Sequence, residues 1–360
     1  MPPRRQLKPR KARNRIPYSS TLLTEFKAFR GTKEGKVVES TGRVGNVGPN
    51  DVLIRMTHAG LCFTDVHYIE AGNVLGHEPV GVAEQVGSEV KHIKVNDVVA
   101  YGYNHHSCNT CDECRQGNDT LCPERALYGM ADLDFGGFGK YALIPENFVH
   151  KMPENMKPEH CAPLNCAGAT VFAPFLKFDI KPIHRVGIIG IGGLGHLALQ
   201  VANKWGCDVT AFTTSESKSA EAKSFGANNV IVTKRADGSS FVPEREEDKF
   251  DFIICTVSSQ VPWDEYIDCL KTRGQIIPLG VDFGKFETNR YFSLLARENK
   301  VGGNIVSTRY QHQKMLEFCA RHGIKPAVEV LDLTEKNINT AFERLQKNDV
   351  RYRFVLKHLE

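Results

Sequence analysis

Long apolar segments are missing from this sequence. Although 41% of its 360 residues are hydrophobic, no uninterrupted run approaches the roughly 20 residues that a membrane-spanning helix requires. The first residues are also too polar for a secretory signal peptide. We therefore expect a cytoplasmic protein without a membrane partner. Its length is sufficient for two domains with a core each.

Acidic residues are absent from the first twenty positions, which contain seven lysines and arginines and little apolar sequence. This segment accounts for the formal net charge of +4, because the rest of the chain holds 39 basic and 42 acidic residues. We expect a disordered basic extension over residues 1–20, and no nucleic-acid partner for the nearly neutral body. Mitochondrial targeting, or nucleic-acid binding confined to the extension, is an alternative.

The pattern of the chain changes near residue 166. Before this point, segments such as 51–58 and 79–90 predict short strands separated by turns, so the first part is β-rich. After it, amphipathic helices alternate with buried strands at 185–190, 229–232, 252–255 and 275–280. This alternation predicts an α/β fold with a doubly wound parallel sheet. A late strand at 353–356 is expected to return to the first domain.

A glycine-rich loop follows the first strand of the second part. It has the pattern G-x-G-x-x-G and opens a helix whose apolar residues recur at helical spacing. Glycines permit a tight turn and a close approach of the backbone to a pyrophosphate, which the free N–H groups of the helix N-terminus bind. A plain glycine-rich turn is the alternative. We assign to dinucleotide binding Gly190, Gly192, Gly193, Leu194 and Gly195.

The end of the next strand distinguishes between the two nicotinamide dinucleotides. An NAD site usually carries an acidic residue there, which binds the ribose 2′-hydroxyl. This strand runs instead into hydroxyl side chains and a lysine, with Glu216 beyond the strand end. Such groups suit a 2′-phosphate, although Ser and Thr are also common helix caps. We expect NADP(H), bound by Thr213, Thr214, Ser215 and Lys218.

Four of the eleven cysteines lie within fifteen residues: Cys108, Cys111, Cys114 and Cys122. Without a secretory signal, metal ligation explains this spacing better than disulfides. Structural zinc takes four tetrahedral ligands, often all sulfur, and the polar residues between these cysteines suit an exposed lobe. We predict a structural zinc site, with free cysteines or an iron–sulfur cluster as alternatives.

A second set of potential ligands is dispersed along the chain. Cys62, His77 and Cys166 would supply two sulfurs and one nitrogen, the ligand set of a catalytic zinc with an open position. Glu78 is a possible fourth ligand, and Asp65 a possible acceptor for the other ring N–H of His77. A single cysteine is more often a small buried hydrophobe, and the spacing does not itself bring these residues together.

Taken together, these motifs resemble the zinc-dependent medium-chain alcohol dehydrogenases. The similarity is greatest to the cinnamyl alcohol dehydrogenase branch and its microbial relatives, and it runs from about residue 26 to the C-terminus. Besides the four-cysteine lobe, it is carried by the segments Gly-His-Glu at 76–78, LNCAGAT at 164–170, VGIIGIGGLGH at 186–196 and AFTTSE at 211–216.

The resemblance implies a domain organisation. Both chain ends, 21–172 and 308–360, would form a β-rich, GroES-like catalytic domain that includes the structural zinc lobe at 104–124. Residues 173–307 would form the NADP(H)-binding Rossmann domain between them. Two zinc ions per subunit and a homodimer are also implied.

The resemblance further implies residue roles. The catalytic zinc ligands would be Cys62, His77 and Cys166, with Glu78 as an alternate ligand and Asp65 behind His77. Thr64 and His67 would relay a proton to or from the substrate oxygen. Further cofactor contacts would be Thr170, Val257, Gly280 and Val281.

The implied activity is hydride transfer between NADP(H) and a primary alcohol/aldehyde pair, aromatic or α,β-unsaturated. Three departures bear on it. Phe63 stands where the family usually has a basic or histidine residue, only 14 residues separate Cys62 from His77, and Gly302-Gly303 replaces a Gly-Ser that assists with the 2′-phosphate. The alternatives are reduction of an activated C=C bond on the same fold and a non-enzymatic NADP(H)-binding scaffold.

Overall fold

The computed structural model describes residues 23–234 and 238–359, so the extension predicted at 1–20 lies outside the described residues. The strands are β1 Thr24–Gly31, β2 Val37–Val44, β3 Asp51–Leu61, β4 Glu78–Val86, β5 Val98–Ala100, β6 Asn104–His106, β7 Ala126–Leu127, β8 Tyr141–Pro145, β9 His150–Lys151, β10 Arg185–Ile189, β11 Asp208–Thr213, β12 Asn229–Val232, β13 Phe250–Cys255, β14 Leu270–Pro278, β15 Lys300–Val301, β16 Val328–Asp332 and β17 Arg353–Lys357.

The α-helices are α1 Phe63–His67, α2 Asp112–Arg115, α3 Pro158–Cys161, α4 Ala167–Lys177, α5 Gly195–Trp205, α6 Ser219–Ser224, α7 Trp263–Asp268, α8 Tyr291–Ala296, α9 Arg309–His322 and α10 Glu335–Gln346. Short 3-10 helices span Asp119–Leu121, Glu146–Phe148, Ala162–Asn165, Glu216–Lys218 and Glu246–Asp248. None of the helices in the described part of the chain is long and apolar enough to cross a bilayer. A cytoplasmic location stays a prediction.

Two compact units make up the described chain. The first runs to Asn165 and includes Val328–Val350 and the segment from Phe354 onward; the second comprises Cys166–Ala327 and Arg351–Arg353. These limits differ from the functional boundaries expected at 172 and 308, which stay a prediction. The helices α4 and α9 fall in the second unit, where they pack against each other.

A seven-stranded sheet frames the first unit. Its order is β16-β17-β3-β4-β5-β9, and β8 pairs with β3 as well. The late strand β17 lies antiparallel to β3, with Val355 opposite Gly60. The sequence predicted the return of this strand to the first unit, but not its partner or its register. The long strand β3 serves two cores: Val52 and Ile54 pack on one side of the unit, and Leu61 packs against α10 on the other. Its far end carries the segment that begins at Cys62.

A parallel sheet frames the second unit, and it confirms the predicted fold class. Its six strands lie in the order β12-β11-β10-β13-β14-β15, all pairs parallel. The chain therefore leaves the central strand β10 first in one direction and then, from β13 onward, in the other. Ligands of such sheets bind at the carboxyl ends of the strands where this reversal occurs. The glycine loop at 190–195 lies at that position.

Several element boundaries differ from the expected ones. The strand β4 ends at Val86 rather than Val90, and β14 begins at Leu270, five residues before the apolar run that predicted it. The fourteen-residue helix α9 had no counterpart among the expected elements. Its signal is weak because few of its side chains are buried, yet Thr308 and Gln311 form a capping box at its start and Gly323 ends it.

Candidate active site and metal centres

The turn after β3 is built around Asp65. Cys62 follows the strand directly and is the N-cap residue of the short helix α1. Its backbone N–H donates to Oδ2 of Asp65 at 3.0 Å, and the N–H of Asp65 donates to the Cys62 carbonyl at 3.0 Å. These two bonds fix the five-residue helix, which is too short to be stable alone. They also fix the direction of the Cys62 side chain.

The other oxygen of the same carboxylate receives three donors. Oδ1 of Asp65 accepts from the Gly76 N–H at 3.0 Å, from Nδ1 of His77 at 3.1 Å and from the Tyr128 hydroxyl at 2.7 Å. Asp65 is fully buried, so each of these bonds offsets the cost of removing the charge from water. The sequence predicted the bond to His77. It did not predict Tyr128, because 63 residues separate it from Asp65.

The ring of His77 is oriented for metal binding. With Nδ1 held by Asp65, Nε2 is buried and has no nitrogen or oxygen partner among the described residues; the thiol of Cys62 is its neighbour. Burial lowers the pKa of His77, but the Asp65 carboxylate and Cys62 together raise it by more, so that it lies well above its usual range. The surroundings of Nε2 therefore favour a positive charge at this atom. A divalent cation bound to Nε2 would supply that charge in place of a proton.

The dispersed ligand candidates converge at this ring. Asn165 places the last of them, since its amide donates to the Pro79 carbonyl at 2.9 Å and Cys166 is the next residue. Two sulfurs, one imidazole and one carboxylate suit zinc. Ligand atoms of the following four residues lie within 4.8 Å of one another: Cys62, His77, Glu78 and Cys166.

Gly60 makes room for the carboxylate of Glu78. The two residues face each other on the paired strands β3 and β4. A Cβ atom on Gly60 would lie 1.9 Å from Oε2 of Glu78, which is closer than any real contact. Only glycine therefore allows Glu78 to hold its present position. Gly60 is a second residue of this site that sequence reasoning missed, and its only signal was a glycine inside a strand.

The first of the two predicted proton-relay residues lies beside the cluster of potential zinc ligands. The Thr64 hydroxyl oxygen lies 3.8 Å from Sγ of Cys62 and is half-buried. His67 is also half-buried, one helical turn later in α1. Its ring centroid lies 6.2 Å from that of Phe63, the residue that departs from the family pattern. The positions suit a path from the cluster toward solvent, while the relay itself stays a prediction.

The four-cysteine lobe has the dimensions of a zinc site. Sγ of Cys108 lies 3.6 Å from that of Cys122 and 4.0 Å from that of Cys114. Tetrahedral zinc with bonds of about 2.3 Å requires sulfur atoms roughly 3.8 Å apart. Cys111 completes the set, and all four sulfurs lie within 4.8 Å of one another. Disulfides are excluded here, because these four cysteines are free.

Backbone donors stabilise negative charge in this lobe. The Cys111 N–H donates to Sγ of Cys108 at 3.3 Å, and the N–H groups of Cys108 and Glu124 donate to Sγ of Cys122 at 3.4 and 3.3 Å. Hydrogen bonds from the backbone at Thr110 and Cys111 lower the pKa of Cys108 to about 6. Thiolates are the form that zinc binds, so these bonds prepare Cys108 for the metal, whereas burial raises the pKa of Cys122 to about 12.

The glycine loop after β10 has the geometry that a dinucleotide requires. Gly190 has φ +89°, and a Cβ there would lie 2.5 Å from Cγ1 of Val257. A Cβ on Gly195 would lie 2.0 Å from the Gly190 carbonyl oxygen, so helix and strand pack closely. At Gly192, by contrast, a Cβ would meet nothing within 4 Å. The loop is therefore tight on its protein side and open on the other, as a pyrophosphate cradle must be.

A buried arginine lies beside this loop. A Cβ on Gly193 would lie 3.1 Å from Cδ and 3.2 Å from Nη1 of Arg353. Arg353 is buried and begins β17. It supplies positive charge where a pyrophosphate would bind, although about 160 residues separate it from the glycines. Sequence reasoning missed this residue because it treated 353–356 only as a closing strand.

The predicted 2′-phosphate residues follow β11. Thr213 is buried, and its hydroxyl accepts from the Ser215 N–H at 3.2 Å, which shapes the turn. Ser215 is half-buried, and its hydroxyl lies 2.7 Å from that of Ser217. Thr214 and Lys218 are exposed. Thr213 thus has a structural role in the loop, and the other three side chains present hydroxyl and ammonium groups near the strand end.

The remaining residues predicted to contact the cofactor differ in their exposure. Thr170 is buried on α4, Leu194 is the N-cap of α5, and Val281 is exposed. Gly280 lies against the end of the neighbouring strand, because a Cβ there would be 2.0 Å from the Val257 carbonyl oxygen. Both Val257 and Gly280 therefore belong to the same sheet edge as the glycine loop.

Comparison with known proteins identifies similar chains. Residues 48–154 match the family model of the alcohol dehydrogenase GroES-like domain, and residues 193–321 match that of zinc-binding dehydrogenases. A probable cinnamyl alcohol dehydrogenase of Populus deltoides is 34% identical over 336 residues, which cover 89% of this chain and 92% of the relative. NADP-dependent alcohol dehydrogenase C 1 of Mycolicibacterium smegmatis is 35% identical, over 86% and 91%. The structure of a cinnamyl alcohol dehydrogenase from Sorghum bicolor superposes with a TM-score of 0.84 at 32% identity, over 93% and 98%.

Proposed function

Because this chain belongs to the zinc-binding alcohol dehydrogenases, a family of oxidoreductases, we propose that it transfers hydride between NADP(H) and a primary alcohol/aldehyde pair of aromatic or α,β-unsaturated type. The observation that carries the proposal is the convergence of two sulfurs, one oriented imidazole and one carboxylate on the buried Nε2 of His77. Membership of the family indicates the type of reaction, and these residues indicate where in this chain the reaction would take place.

Cys62, His77 and Cys166 would hold the catalytic zinc, with Glu78 as an alternate ligand. Zinc at such a site supplies a Lewis acid that polarises a carbonyl oxygen and lowers the pKa of an alcohol. Asp65 keeps Nδ1 of His77 protonated and Nε2 free for the metal. Tyr128 and Gly76 hold the carboxylate in that position by donating to the same oxygen.

Proton transfer falls to Thr64 and His67 in this proposal. A hydroxyl can accept and donate at once, so Thr64 is suited to pass a proton to the nascent alkoxide of an aldehyde reduction. His67 would exchange that proton with solvent, since its ring can both donate and accept and is only half-buried. The presence of both residues favours carbonyl chemistry over reduction of a C=C bond.

The cofactor proposal rests on charge. No acidic side chain ends β11, and Thr214, Ser215 and Lys218 offer groups suited to a 2′-phosphate. Arg353 beside Gly193 would neutralise the pyrophosphate, and this compensates for the missing basic residue at Phe63. The relative from M. smegmatis is named as NADP-dependent. We propose NADP(H), with one catalytic and one structural zinc per subunit.

The substrate proposal is limited by the short segment between Cys62 and His77. Arg30 holds this segment against β1, because Nη1 donates to the Gly72 carbonyl at 2.7 Å and to the Leu133 carbonyl at 3.1 Å. A Cβ on Gly31 would lie 1.8 Å from the Ile69 carbonyl oxygen, so the contact is close. The segment is short and fixed, which predicts a pocket wall that is lower than in close relatives and does not rearrange.

Product analysis with cinnamaldehyde tests the reaction class, because this substrate carries both a carbonyl and a C=C bond. The purified protein is incubated with NADPH and, separately, with NADH, and products are separated by chromatography. We expect cinnamyl alcohol, formed faster with NADPH. The saturated aldehyde as the main product would instead assign C=C reduction. A faster reaction with NADH at low micromolar concentration would contradict the cofactor proposal.

We also propose a homodimer. The short helix α8 in the second unit exposes three large apolar side chains, Tyr291, Phe292 and Leu295, of which 72%, 77% and 60% are accessible. The edge strand β15 follows it in the chain. An exposed apolar cluster next to an open sheet edge is a surface that proteins usually cover. A second copy of the chain would cover both.

A further inference from the structure

The buried histidine that follows the glycine loop has no role in the chemistry described so far. His196 lies in the first turn of α5 and has no exposed surface. Its Nδ1 donates to the Gly192 carbonyl at 3.0 Å, and its Nε2 accepts from the Ala327 N–H at 3.2 Å. The Ala327 donor fixes the tautomer, since Nε2 must be unprotonated to accept.

The Gly192 carbonyl receives a second donor from the same residue. The backbone N–H of His196 lies 3.0 Å from this oxygen, so the imidazole and the main chain hold it together. A trans peptide is planar, and its C=O and N–H point in opposite directions. Holding the Gly192 oxygen on the helix side therefore turns the N–H of Gly193 to the other side of the loop.

That other side is where the loop is open. A Cβ on Gly192 would meet no atom within 4 Å, and the guanidinium of Arg353 lies close to Gly193. Gly192 and Gly193 could adopt many conformations without restraint, because glycine has no preferred sign of φ. A fixed peptide at this point orients one of the N–H groups that an anion at a helix N-terminus would use.

We propose that His196 is a positioning residue for the dinucleotide, and that it acts by locking the peptide between Gly192 and Gly193 so that the Gly193 N–H faces the pyrophosphate. This role rests on the proposed function, since it requires a dinucleotide in the loop. His196 itself does not touch the cofactor. It acts through one carbonyl group.

The surroundings of His196 keep its ring in one orientation and one protonation state. Its ring stacks on that of Tyr352 at a centroid distance of 4.8 Å and an angle of 17°. The ring of Phe225 packs edge-on at a centroid distance of 5.4 Å. Burial lowers the pKa of His196 to about 4, so the imidazole is neutral at physiological pH. A neutral ring with one donor and one acceptor matches the two partners that the fold provides.

Two isosteric substitutions separate the two ring nitrogens. In His196→Asn the amide nitrogen takes the place of Nδ1 and can still donate to Gly192. In His196→Gln the amide oxygen takes the place of Nε2 and can still accept from Ala327, while the bond to Gly192 is lost. Dissociation constants are measured by calorimetry for NADP⁺ and for adenosine 2′-monophosphate, which lacks a pyrophosphate, together with the melting temperature of each variant.

We expect His196→Gln to weaken NADP⁺ binding by about tenfold to a hundredfold, the loss that one hydrogen bond to a charged group typically causes. Binding of adenosine 2′-monophosphate should change by less than about threefold. His196→Asn should restore NADP⁺ affinity to within about threefold of the wild type. An equal loss for both ligands in His196→Gln would show a general structural role and overturn the proposal.

Unchanged NADP⁺ affinity in His196→Gln would also overturn the positioning role. Failure of the proposed function has a different signature. In that case the wild-type protein would bind neither NADP⁺ nor NAD⁺, and the role of His196 would fall with it. If the wild-type protein binds NAD⁺ but not NADP⁺, dissociation constants are compared for NAD⁺ and adenosine instead. The same outcomes then support or overturn the role of His196.

Discussion

Single polar side chains organise the candidate active site, and Asp65 does the most. Its two oxygens accept from Cys62, Gly76, His77 and Tyr128, so one buried carboxylate joins the end of β3, the segment before β4 and a distant tyrosine. Removing its charge should therefore loosen the ring of His77 and the turn that carries Cys62, both of them proposed zinc ligands.

We predict that Asp65→Asn weakens zinc binding at the catalytic site by about tenfold to a hundredfold, as expected when a ligating histidine loses its carboxylate partner. The asparagine keeps the size of the side chain but cannot accept at both oxygens. Zinc release to a coloured chelator measures the effect, and Glu34→Gln at an exposed position is the control. Zinc release at the wild-type rate would contradict the assigned role of Asp65.

The relay prediction concerns Thr64. We expect Thr64→Ala to lower kcat for aldehyde reduction by about a hundredfold or more, because a positioned proton donor typically contributes that much. Thr64→Ser should recover most of the rate, since it restores the hydroxyl. Steady-state kinetics and cofactor binding are compared for the three proteins. Full activity in Thr64→Ala would exclude the relay.

His196 makes stability depend on pH. Its pKa is about 4 in the folded protein, against roughly 6.5 when unfolded. Above pH 6.5 neither state binds the proton, so the full stability is present. As pH falls toward 4, only the unfolded state gains the proton, and up to about 3 kcal/mol is lost. Urea unfolding at pH 7.5 and pH 5 should show this loss, and His196→Asn should reduce it.

Site residues that lie close together in the sequence could be predicted from it. The glycines at 190–195, the pair at 77–78 and the four cysteines each carry their pattern locally, and the structure brings each group together. Tyr128, Gly60 and Arg353 could not be predicted in this way. Tyr128 and Arg353 reach their sites from distant segments. Gly60 is only two residues before Cys62, but it meets Glu78 only through the pairing of β3 with β4.

At the scale of elements, the cysteine lobe is a small structure held by its own ligands. The helix α2 spans four residues and the 3-10 helix Asp119–Leu121 spans three, so neither is stable without the sulfur cluster. If the lobe binds zinc as proposed, we expect its folding to depend on the metal.

We predict that the double variant Cys111→Ser and Cys114→Ser loses one of the two zinc ions and melts at a lower temperature, while the catalytic zinc remains. Zinc content by mass spectrometry and thermal melting measure the two effects. Cys207→Ser is a suitable control, because Cys207 lies outside both clusters and a serine can still donate to the Lys181 carbonyl. Retention of both zinc ions would show that the lobe does not bind metal.

Element types were more predictable than element limits. The strand β12 was predicted with its observed bounds, Asn229–Val232, because a short apolar run between turn residues leaves no choice. The strand β14 extends beyond its apolar core, since its early residues Thr272 and Arg273 are exposed and carry no hydrophobic signal. The helix α9 was missed for the same reason.

At the scale of the whole molecule, the exposed aromatic helix α8 is the feature that a monomer would not explain. We predict that the double variant Tyr291→Lys and Phe292→Glu converts the proposed dimer into a monomer, because charge on this face opposes its burial against a second copy. Light scattering after gel filtration measures the mass. Lys223→Glu, an exposed change elsewhere in the same unit, is the control. A wild-type protein that is already monomeric would contradict the proposal.

The position of β17 has a consequence for biosynthesis. This strand lies inside the seven-stranded sheet, between β16 and β3, although about 290 residues separate it from β3 in the chain. The chain emerges from the ribosome at roughly 5–20 residues per second, N-terminus first. The parallel sheet of the second unit is contiguous in sequence and can form while β3 still waits for its neighbour. Nascent chains stalled before residue 353 should therefore expose the unpaired end of β3 at residues 58–61. The interval between the synthesis of β3 and that of β17 is the period in which we expect this edge to need a chaperone.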